Sequence, residues 1–197
     1  MGELIDVFND SLGDWLKKLS NSLNAELNST FVQYIHISRC ETSCSHCRDN
    51  DLRIFLNNND KPKVGEENHK WCDCVYQEVE ELEVGSISNK GLDAPDVWIR
   101  AYGVLPGYYI TKEIAETEYG WNGRRNTVSG KAPGKMIGGD VYENDKNKLP
   151  VADGRVWYEC DVDYVSGARN SKRLFYSNDG LIFYSPDHGE REFYYIK

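Results

Sequence analysis

Four side chains in the second half of the sequence are of types that could cleave a phosphodiester bond by acid–base chemistry. Glu159 lies in an alternating apolar and polar run, His188 lies in a polar loop, and Arg169 and Arg173 stand four residues apart. Cutting an RNA backbone without a metal requires a base for the 2′-hydroxyl, an acid for the leaving 5′-oxygen, and cations for the charge that builds on phosphorus. This set of residues offers each of these functions.

Each of these side chains also has an ordinary structural interpretation. A glutamate on a strand is commonly a solvated surface group, and an isolated histidine in a loop is commonly just exposed. The two arginines could form surface ion pairs with Asp161 or Asp163. Lys112, one residue into a predicted helix, is ordinarily a solvated lysine. Spacing alone therefore does not decide in favour of an enzyme.

The glutamate is positioned by a predicted strand over residues 156–162. Successive side chains of a strand point to opposite faces, so that Trp157, Glu159 and Asp161 share one face and the even positions share the other. We expect the even face to be core and the odd face to carry the carboxylate.

Helices precede strands in this half of the chain, which describes an α+β domain with helices packed on an antiparallel sheet. An Asp-Gly pair within residues 178–180 is a strong hairpin turn signal. The predicted elements are, in order, a helix through Trp98 and Tyr102, a helix from Thr111 to just before Gly120, the strand 156–162, strands over 173–177 and 181–184 around the turn at 178–180, and a strand over 192–196.

The first half is predicted to be a separate, small Cys/His-rich α/β module. Apolar residues at steps of three and four predict an amphipathic helix over Glu3–Leu23, and the run Phe31–Ser38 alternates as a strand does. The polar stretch 57–67 is typical of an exposed loop. The Gly and Ser content of residues 85–93 marks a linker, which divides the chain into 1–84 and 94–197.

The charge of the chain is unevenly distributed along its length. The net charge of −9 argues at first against a nucleic-acid binder. However, residues 1–95 hold 9 Lys and Arg against 17 Asp and Glu, a balance of −8, whereas residues 96–197 hold 14 against 15, a balance of −1. Binding of RNA depends on local potential, so the second half can still bind it. No apolar run is long enough to span a bilayer, and no signal peptide is recognisable.

From Leu105 to the end, the sequence resembles the barnase-type, guanyl-preferring bacterial ribonucleases. The likeness covers about ninety residues in order and is highly specific. Its motifs are Leu105-Pro106, Tyr109-Ile-Thr-Lys112, Gly120-Trp121, Ala132-Pro-Gly-Lys135, Ile137-Gly-Gly-Asp140, Leu149-Pro150, Gly154-Arg155, Trp157, Ser166-Gly167, Arg169-Asn-Ser171, Arg173, Tyr176-Ser177 and Asp187-His188.

The resemblance implies a role for each matching residue. It assigns the general base to Glu159 and the general acid to His188, and phosphate contacts to Lys112, Arg169 and Arg173. It implies cleavage of single-stranded RNA through a 2′,3′-cyclic phosphate without a metal cofactor. Since DNA has no 2′-hydroxyl, it should not be cleaved by this route.

Three further positions bear on the resemblance. Asp140 matches an aspartate that organises the basic residues of the family's site, although an aspartate after two glycines could equally be a turn former. Gly189 stands where relatives carry a tyrosine. The guanine-recognition loop corresponds to Tyr142, Glu143, Asn144, Asp145 and Lys146. Lys146 stands in the place of the family's base-binding glutamate and Asp145 in the place of an arginine, so a guanine preference is not implied.

The cysteines of the first half are spaced like metal ligands. Two pairs about 25 residues apart suit a tetrahedral zinc site. Disulfides and unlinked thiols are the alternatives. The candidate ligands are Cys44, Cys47, His69, Cys72 and Cys74.

This cysteine pattern is also similar to the end of phage Mu-type minor head (head morphogenesis) proteins. Its elements are Cys44 to Cys47, Asp51 to Phe55, and His69 to Cys74. The two resemblances together imply a polymorphic toxin, delivered by phage-derived machinery or secreted, that acts in the cytoplasm of a target cell. A barstar-like immunity protein would restrain it in the cell that makes it.

Two other interpretations remain open at this point. The chain could be a catalytically weak phage head or assembly protein that uses the ribonuclease fold as a scaffold. It could also be a zinc-dependent nucleic-acid binder, but the residues around the cysteines are mostly acidic. Retention of the catalytic set favours the enzyme over both.

Overall fold

A computed structural model gives the fold of the protein and describes residues 34–37, 45–56, 61–64, 72 and 74–197. The predicted helix over Glu3–Leu23 lies outside the described residues, as does most of the predicted loop 57–67. The strand predicted within Phe31–Ser38 is confirmed over Tyr34–Ile37.

The helices and strands predicted for the second half are confirmed, with boundaries that differ by at most two residues. In the described residues the strands are β1 (Tyr34–Ile37), β2 (Ile54–Phe55), β3 (Val75–Glu78), β4 (Glu80–Leu82), β5 (Tyr109–Ile110), β6 (Met136–Tyr142), β7 (Trp157–Asp161), β8 (Arg173–Ser177), β9 (Ile182–Ser185) and β10 (Tyr194–Ile196). The helices are α1 (Ser45–Asn50), α2 (Pro95–Tyr102), α3 (Lys112–Thr117) and α4 (Val128–Lys131), and a 3₁₀ turn spans Gly91–Asp93.

A seven-stranded sheet in the order β4-β10-β9-β8-β7-β6-β5 organises the second half, and β2-β1-β3 form a smaller sheet. The strands from β6 to β10 pair antiparallel, as predicted. The two edge strands differ, because β5 runs parallel to β6 and β4 runs parallel to β10. Parallel neighbours need a long connection, and α3 and α4 lie in the connection between β5 and β6. The α+β fold class is confirmed.

One face of the large sheet is covered by the helices. Ile99 of α2, Ala115 of α3 and Val128 of α4 are buried there against strand residues such as Ile137 and Leu174. This face holds the main core, and it is the face that the even positions of β7 share.

The opposite face is apolar at one end and polar at the other. Trp157, Phe175 and Phe183 form a second core there, which Ile54 and Val79 of the first half complete. The even face of β7 is core, as expected, and at this end of the sheet the odd face carries a second core as well. Polar side chains occupy the rest of the face, and they form the site described below.

Part of the first half belongs to the large sheet. Strand β4 pairs with β10, and the backbone of Val84 and Leu82 is hydrogen-bonded to Lys197. These residues directly precede the predicted linker 85–93. The division into 1–84 and 94–197 stays a prediction. Among the described residues, no helix is long and apolar enough to cross a membrane.

Candidate active site

The polar end of the sheet brings side chains of three neighbouring strands onto one face. Asp161 of β7 is paired with Arg173 of β8, and Glu159 of β7 is paired with Asp140 of β6. The register shifts between residues 138 and 140, where Gly139 has a φ of 92°. Such a bulge re-aims the following side chain, and glycine adopts a positive φ without strain. The bulge therefore sets Asp140 opposite Glu159.

The beginning of α3 places a lysine beside the glutamate. The Thr111 hydroxyl accepts the Ile114 N–H at 3.2 Å, which caps the helix. The backbone N–H of Lys112 donates to both carboxylate oxygens of Asp140, at 3.1 and 3.2 Å. The Lys112 ammonium then reaches Glu159 Oε1 at 2.6 Å. Asp140 thus holds the helix end that carries the lysine, and the turn-former alternative does not account for these contacts.

A single buried carboxylate holds both arginines. Asp161, with an exposure of 0%, accepts two hydrogen bonds from Arg169, from Nε and Nη2, each at 2.7 Å. Arg173 Nη1 lies 3.1 Å from Asp161 Oδ1. Burial tends to lower the pKa of Arg169, but the hydrogen bonds and charge of Asp161 outweigh it and raise that pKa. Burial lowers the pKa of Arg173. Both guanidinium groups stay charged.

The histidine lies against the second arginine. Arg173 Nη2 is 2.7 Å from His188 Nε2. A guanidinium has only donors, so Nε2 accepts and the ring proton of the neutral imidazole lies on Nδ1. Burial and the charge of Arg173 lower the pKa of His188 below 6.5, against an opposing effect of Glu159. His188 has a φ of 71° and its N–H donates to Ser171 O at 2.8 Å.

The loop that carries the histidine is fixed by the preceding aspartate. The Asp187 carboxylate accepts the Ser185 hydroxyl at 2.7 Å. It also accepts the backbone N–H groups of Glu190, Arg191 and Glu192, at 3.1, 2.9 and 3.2 Å. Partial burial raises the pKa of Asp187, but these hydrogen bonds outweigh it and lower that pKa below 3.8. The loop conformation, including the positive φ at position 188, is therefore set by local hydrogen bonds.

The predicted base-recognition loop, residues 142–146, lies at the end of β6. Together with residues 147 and 148, which follow it, it forms the segment called the recognition loop below. The Tyr142 ring is 4.6 Å from the Phe175 ring, centroid to centroid. Asn144 is buried, and its side chain accepts the Leu149 N–H at 3.0 Å and donates to Leu149 O at 2.9 Å. The predicted base contact Asn144 thus also closes the loop on itself. Glu143, Asp145 and Lys146 are exposed.

Two residues of this site were missed in the sequence. The alternation of the predicted strand placed Asp161 on the same face as Glu159, but Asp161 was considered only as an ordinary ion-pair partner. A second carboxylate two positions along the strand from Glu159 is the signal that could have indicated its place in the site. Lys148 follows the predicted loop, and its ammonium donates to Gly189 O at 2.9 Å and to Glu190 O at 2.6 Å. No local pattern in the sequence indicates that contact, because it joins segments about forty residues apart.

The proposed metal ligands are only partly described. Cys44 and His69 lie outside the described residues, and Cys47 lies in α1. Cys72 and Cys74 are buried together against Val64. Within the ranges that the structure covers, no three His, Cys, Asp or Glu side chains converge to hold a metal ion. The zinc site stays a prediction.

Comparison with known proteins identifies the family of the second half. A family model described as ribonuclease matches residues 101–196. A ribonuclease of Heyndrickxia coagulans is 49% identical over 87 residues, which are 44% of this chain and 79% of that protein. The chain belongs to the ribonuclease family. Ribonucleases of Bacillus intermedius and Bacillus pumilus are also 49% identical over 87 residues, and the match spans 53%, about half, of the length of each.

The ribonuclease assignment confirms the resemblance stated for the second half of the chain, and with it the class of enzyme, one that cleaves RNA. Ribonucleases of the barnase type are metal-independent. The resemblance of the first half to phage head proteins stays a prediction.

Proposed function

We propose that this ribonuclease cleaves single-stranded RNA by transphosphorylation. The 2′-oxygen attacks phosphorus, the bond to the 5′-oxygen breaks, and a 2′,3′-cyclic phosphate remains on one product. Glu159 takes the proton of the 2′-hydroxyl, and His188 gives a proton to the leaving 5′-oxygen. The observation that carries the proposal is a pair of contact groups that β7 places on one sheet face. Glu159 is paired with Lys112, and Asp161, two residues further along the strand, holds the arginines that contact His188. The charge of Glu159 also acts on His188.

The cations of the cluster supply electrostatic stabilisation. Arg169 and Arg173 are held rigidly by Asp161, and donors that need no reorganisation stabilise developing charge best. Lys112 Nζ lies 2.6 Å from Glu159 Oε1, so this cation stands directly beside the proposed base. A bound phosphate would compete with His188 for the donors of Arg173. His188 could then take up the proton that it later delivers.

Loss of either acid or base is the direct test of the mechanism. We expect Glu159→Ala and His188→Ala each to lower kcat by roughly 10²- to 10⁴-fold on a fluorogenic RNA dinucleotide. Glu118→Ala, at the exposed end of α3, serves as the matched control and should cleave at the wild-type rate. The product should carry a cyclic phosphate, EDTA should not slow the reaction, and a substrate with 2′-deoxyribose at the cleavage site should survive. Activity that is lost with EDTA, or that both substitutions leave intact, contradicts the proposal.

The biological role proposed is that of a toxin with a cognate inhibitor. It rests on the phage-head-like cysteine pattern of residues 44–74 and on the need of any cell to restrain a ribonuclease that it makes. Expression of the wild-type chain should arrest growth, Glu159→Ala should not, and a barstar-like partner should restore growth. Equal growth of wild type and variant would argue against the role.

The proposed structural zinc has a separate test. Elemental analysis of the purified chain should find one zinc per molecule, and the Cys44→Ser and Cys47→Ser variants should lose it. A full complement of zinc in both variants would exclude the proposed ligand set. Two fewer thiols than cysteines without reduction would indicate a disulfide instead.

A further inference from the structure

A short segment of the first half contacts the base-recognition loop directly. The Ile54 N–H donates to Lys148 O at 2.7 Å, and Arg53 Nε donates to Asn147 O at 3.3 Å. Arg53 is in turn held by Asn50 Oδ1 at 2.9 Å. Residues 48–54 lie outside the segment 101–196 that matches the ribonuclease family, so these contacts are an addition to the family's domain.

Burial strengthens this connection. Ile54 is 2% exposed and packs in the second core with Leu149, Trp157 and Phe175. Through Lys148, whose ammonium donates to the carbonyl of residue 189, the same connection reaches the loop that carries His188. The first half therefore contacts the loop that ends at Lys148 directly, and it is connected through the Lys148 side chain to the loop that carries His188.

A cavity of about 490 Å³ lies between the same segments. This volume is within the range of small-ligand sites. The cavity contains charged side chains of both signs, and such donors and acceptors can bind the hydrogen-bonding edge of a nucleobase, while a guanidinium plane can stack on its face. Its lining comes from three segments, namely residues 48–52, 145–148 and 190–191.

We infer that residues 48–54 form part of the nucleobase site of this ribonuclease. Arg48 and Asp49 line the wall opposite the recognition loop, and Arg53 and Ile54 position that loop. The inference rests on the proposed function. It also bears on the departure at Lys146, which stands in the place of the base-binding glutamate implied by the resemblance. Residues 48–49 add charged groups to the cavity from outside the family domain.

The test compares base selectivity in the full-length chain. Arg48→Ala and Asp49→Ala change exposed side chains and leave the second core intact, and Lys63→Ala, exposed in the first half and away from the cavity lining, is the matched control. Values of kcat/KM are measured for GpA, ApA, CpA and UpA. We expect Arg48→Ala or Asp49→Ala, or both, to change the ratio of kcat/KM between the best substrate and the others by about 2- to 12-fold, which corresponds to the loss of one hydrogen bond. The control, Lys63→Ala, should leave all these ratios unchanged.

Binding of the four nucleoside 3′-monophosphates, followed by fluorescence titration, gives a second readout that does not need turnover. Unchanged ratios in both assays, with cleavage intact, overturn the inference and leave the proposed function standing. Uniform loss for all four bases indicates only a general structural effect, and it also overturns the inference. If the wild type binds but fails to cleave, the proposed function fails, while the dissociation constants still decide whether residues 48–49 discriminate bases.

Discussion

At the scale of single residues, the carboxylate of Asp161 positions the two arginines of the site. Asp161 and Arg173 have exposures of 0% and 1%, so Arg173 would be a buried, uncompensated charge without Asp161. Removing one member of a buried pair is costly, because it leaves an uncompensated charge. The strand alternation in the sequence put Asp161 beside Glu159, but the sharing of this group by two arginines depends on a turn over residues 162–172.

The contribution of Asp161 to stability can be compared with that of the nearby carboxylate Asp163. We expect Asp161→Ala to lower the free energy of unfolding by about 3–5 kcal/mol, since it breaks a buried ion pair. Asp163→Ala removes a more exposed pair with Lys172 and a hydrogen bond from the Ser88 hydroxyl, and it should cost about 0.5–2.5 kcal/mol. Urea denaturation of both variants makes the comparison. Similar losses in the two variants would show that the buried position of Asp161 has no special importance.

The lowered pKa of His188 leads to a prediction about how activity depends on pH. The pKa of His188 lies below 6.5 because burial and Arg173 oppose its positive charge. An acid must hold its proton before the reaction, so kcat/KM should fall as the pH rises through this lowered pKa. A bound phosphate favours the imidazolium, and the pKa in the complex should therefore be higher than in the free enzyme.

Proton NMR titration of the ring C–H signals measures both values. The chain has 4 histidines, and the signal missing in His188→Ala assigns the one of interest. A pKa above 6.5 in the free enzyme would show that the contact with Arg173 does not govern the ring in solution.

At the scale of elements, the loop after β9 meets β8 at a glycine. A Cβ added to Gly189 would lie 2.9 Å from Phe175 Cζ, and the residue has a φ of 74°. A side chain at position 189 would therefore need more room than Phe175 leaves. Phe175 fills the space that the side chain of residue 189 would begin to occupy.

This packing predicts a coupled pair of substitutions. Gly189→Ala should destabilise the chain by about 1–3 kcal/mol through overpacking. In the background of Phe175→Leu the same change should cost less, because the shorter side chain withdraws from the added methyl group. A double-mutant cycle by thermal unfolding measures the coupling. Strictly additive losses would mean that backbone strain at the positive φ, rather than the phenylalanine, opposes a side chain at position 189.

Elements with a local signal could be predicted from the sequence, and those formed by distant contacts could not. The alternation of β7, the turn at 178–180 and the helix that begins near Thr111 are each encoded in a few neighbouring residues, and all three are confirmed. Strand β4 has only three residues, and its parallel partner lies more than a hundred residues away, so nothing near it indicates the pairing. The contact of Ile54 with Lys148 was missed for the same reason.

At the scale of the whole molecule, the first half contributes to the core of the ribonuclease half. Ile54, Val79 and Ile87 have exposures of 2%, 7% and 8%, and they pack against the two faces of the large sheet. Strand β4 also covers one edge of β10. Composition placed Ile54 and Val79 in a separate module and Ile87 in the linker 85–93. A Gly- and Ser-rich stretch is a signal of exposure and carries no information about the packing of these apolar residues.

Fragments of the chain should therefore differ in stability in a definite order. Burying one such aliphatic side chain contributes roughly 1.5–3 kcal/mol, and a whole domain is stable by only about 5–15 kcal/mol. Fragment 94–197 loses all three side chains and β4, so it should unfold at the lowest urea concentration. Fragment 74–197 keeps β4, Val79 and Ile87 and should lie between it and the full chain. If fragment 94–197 were as stable as the full chain, the linker at 85–93 would be a true domain boundary. The contacts of the first half would then contribute nothing to the free energy of unfolding. The expected order instead makes residues 74–93 part of the folded enzyme, since the sheet is complete only when they are present.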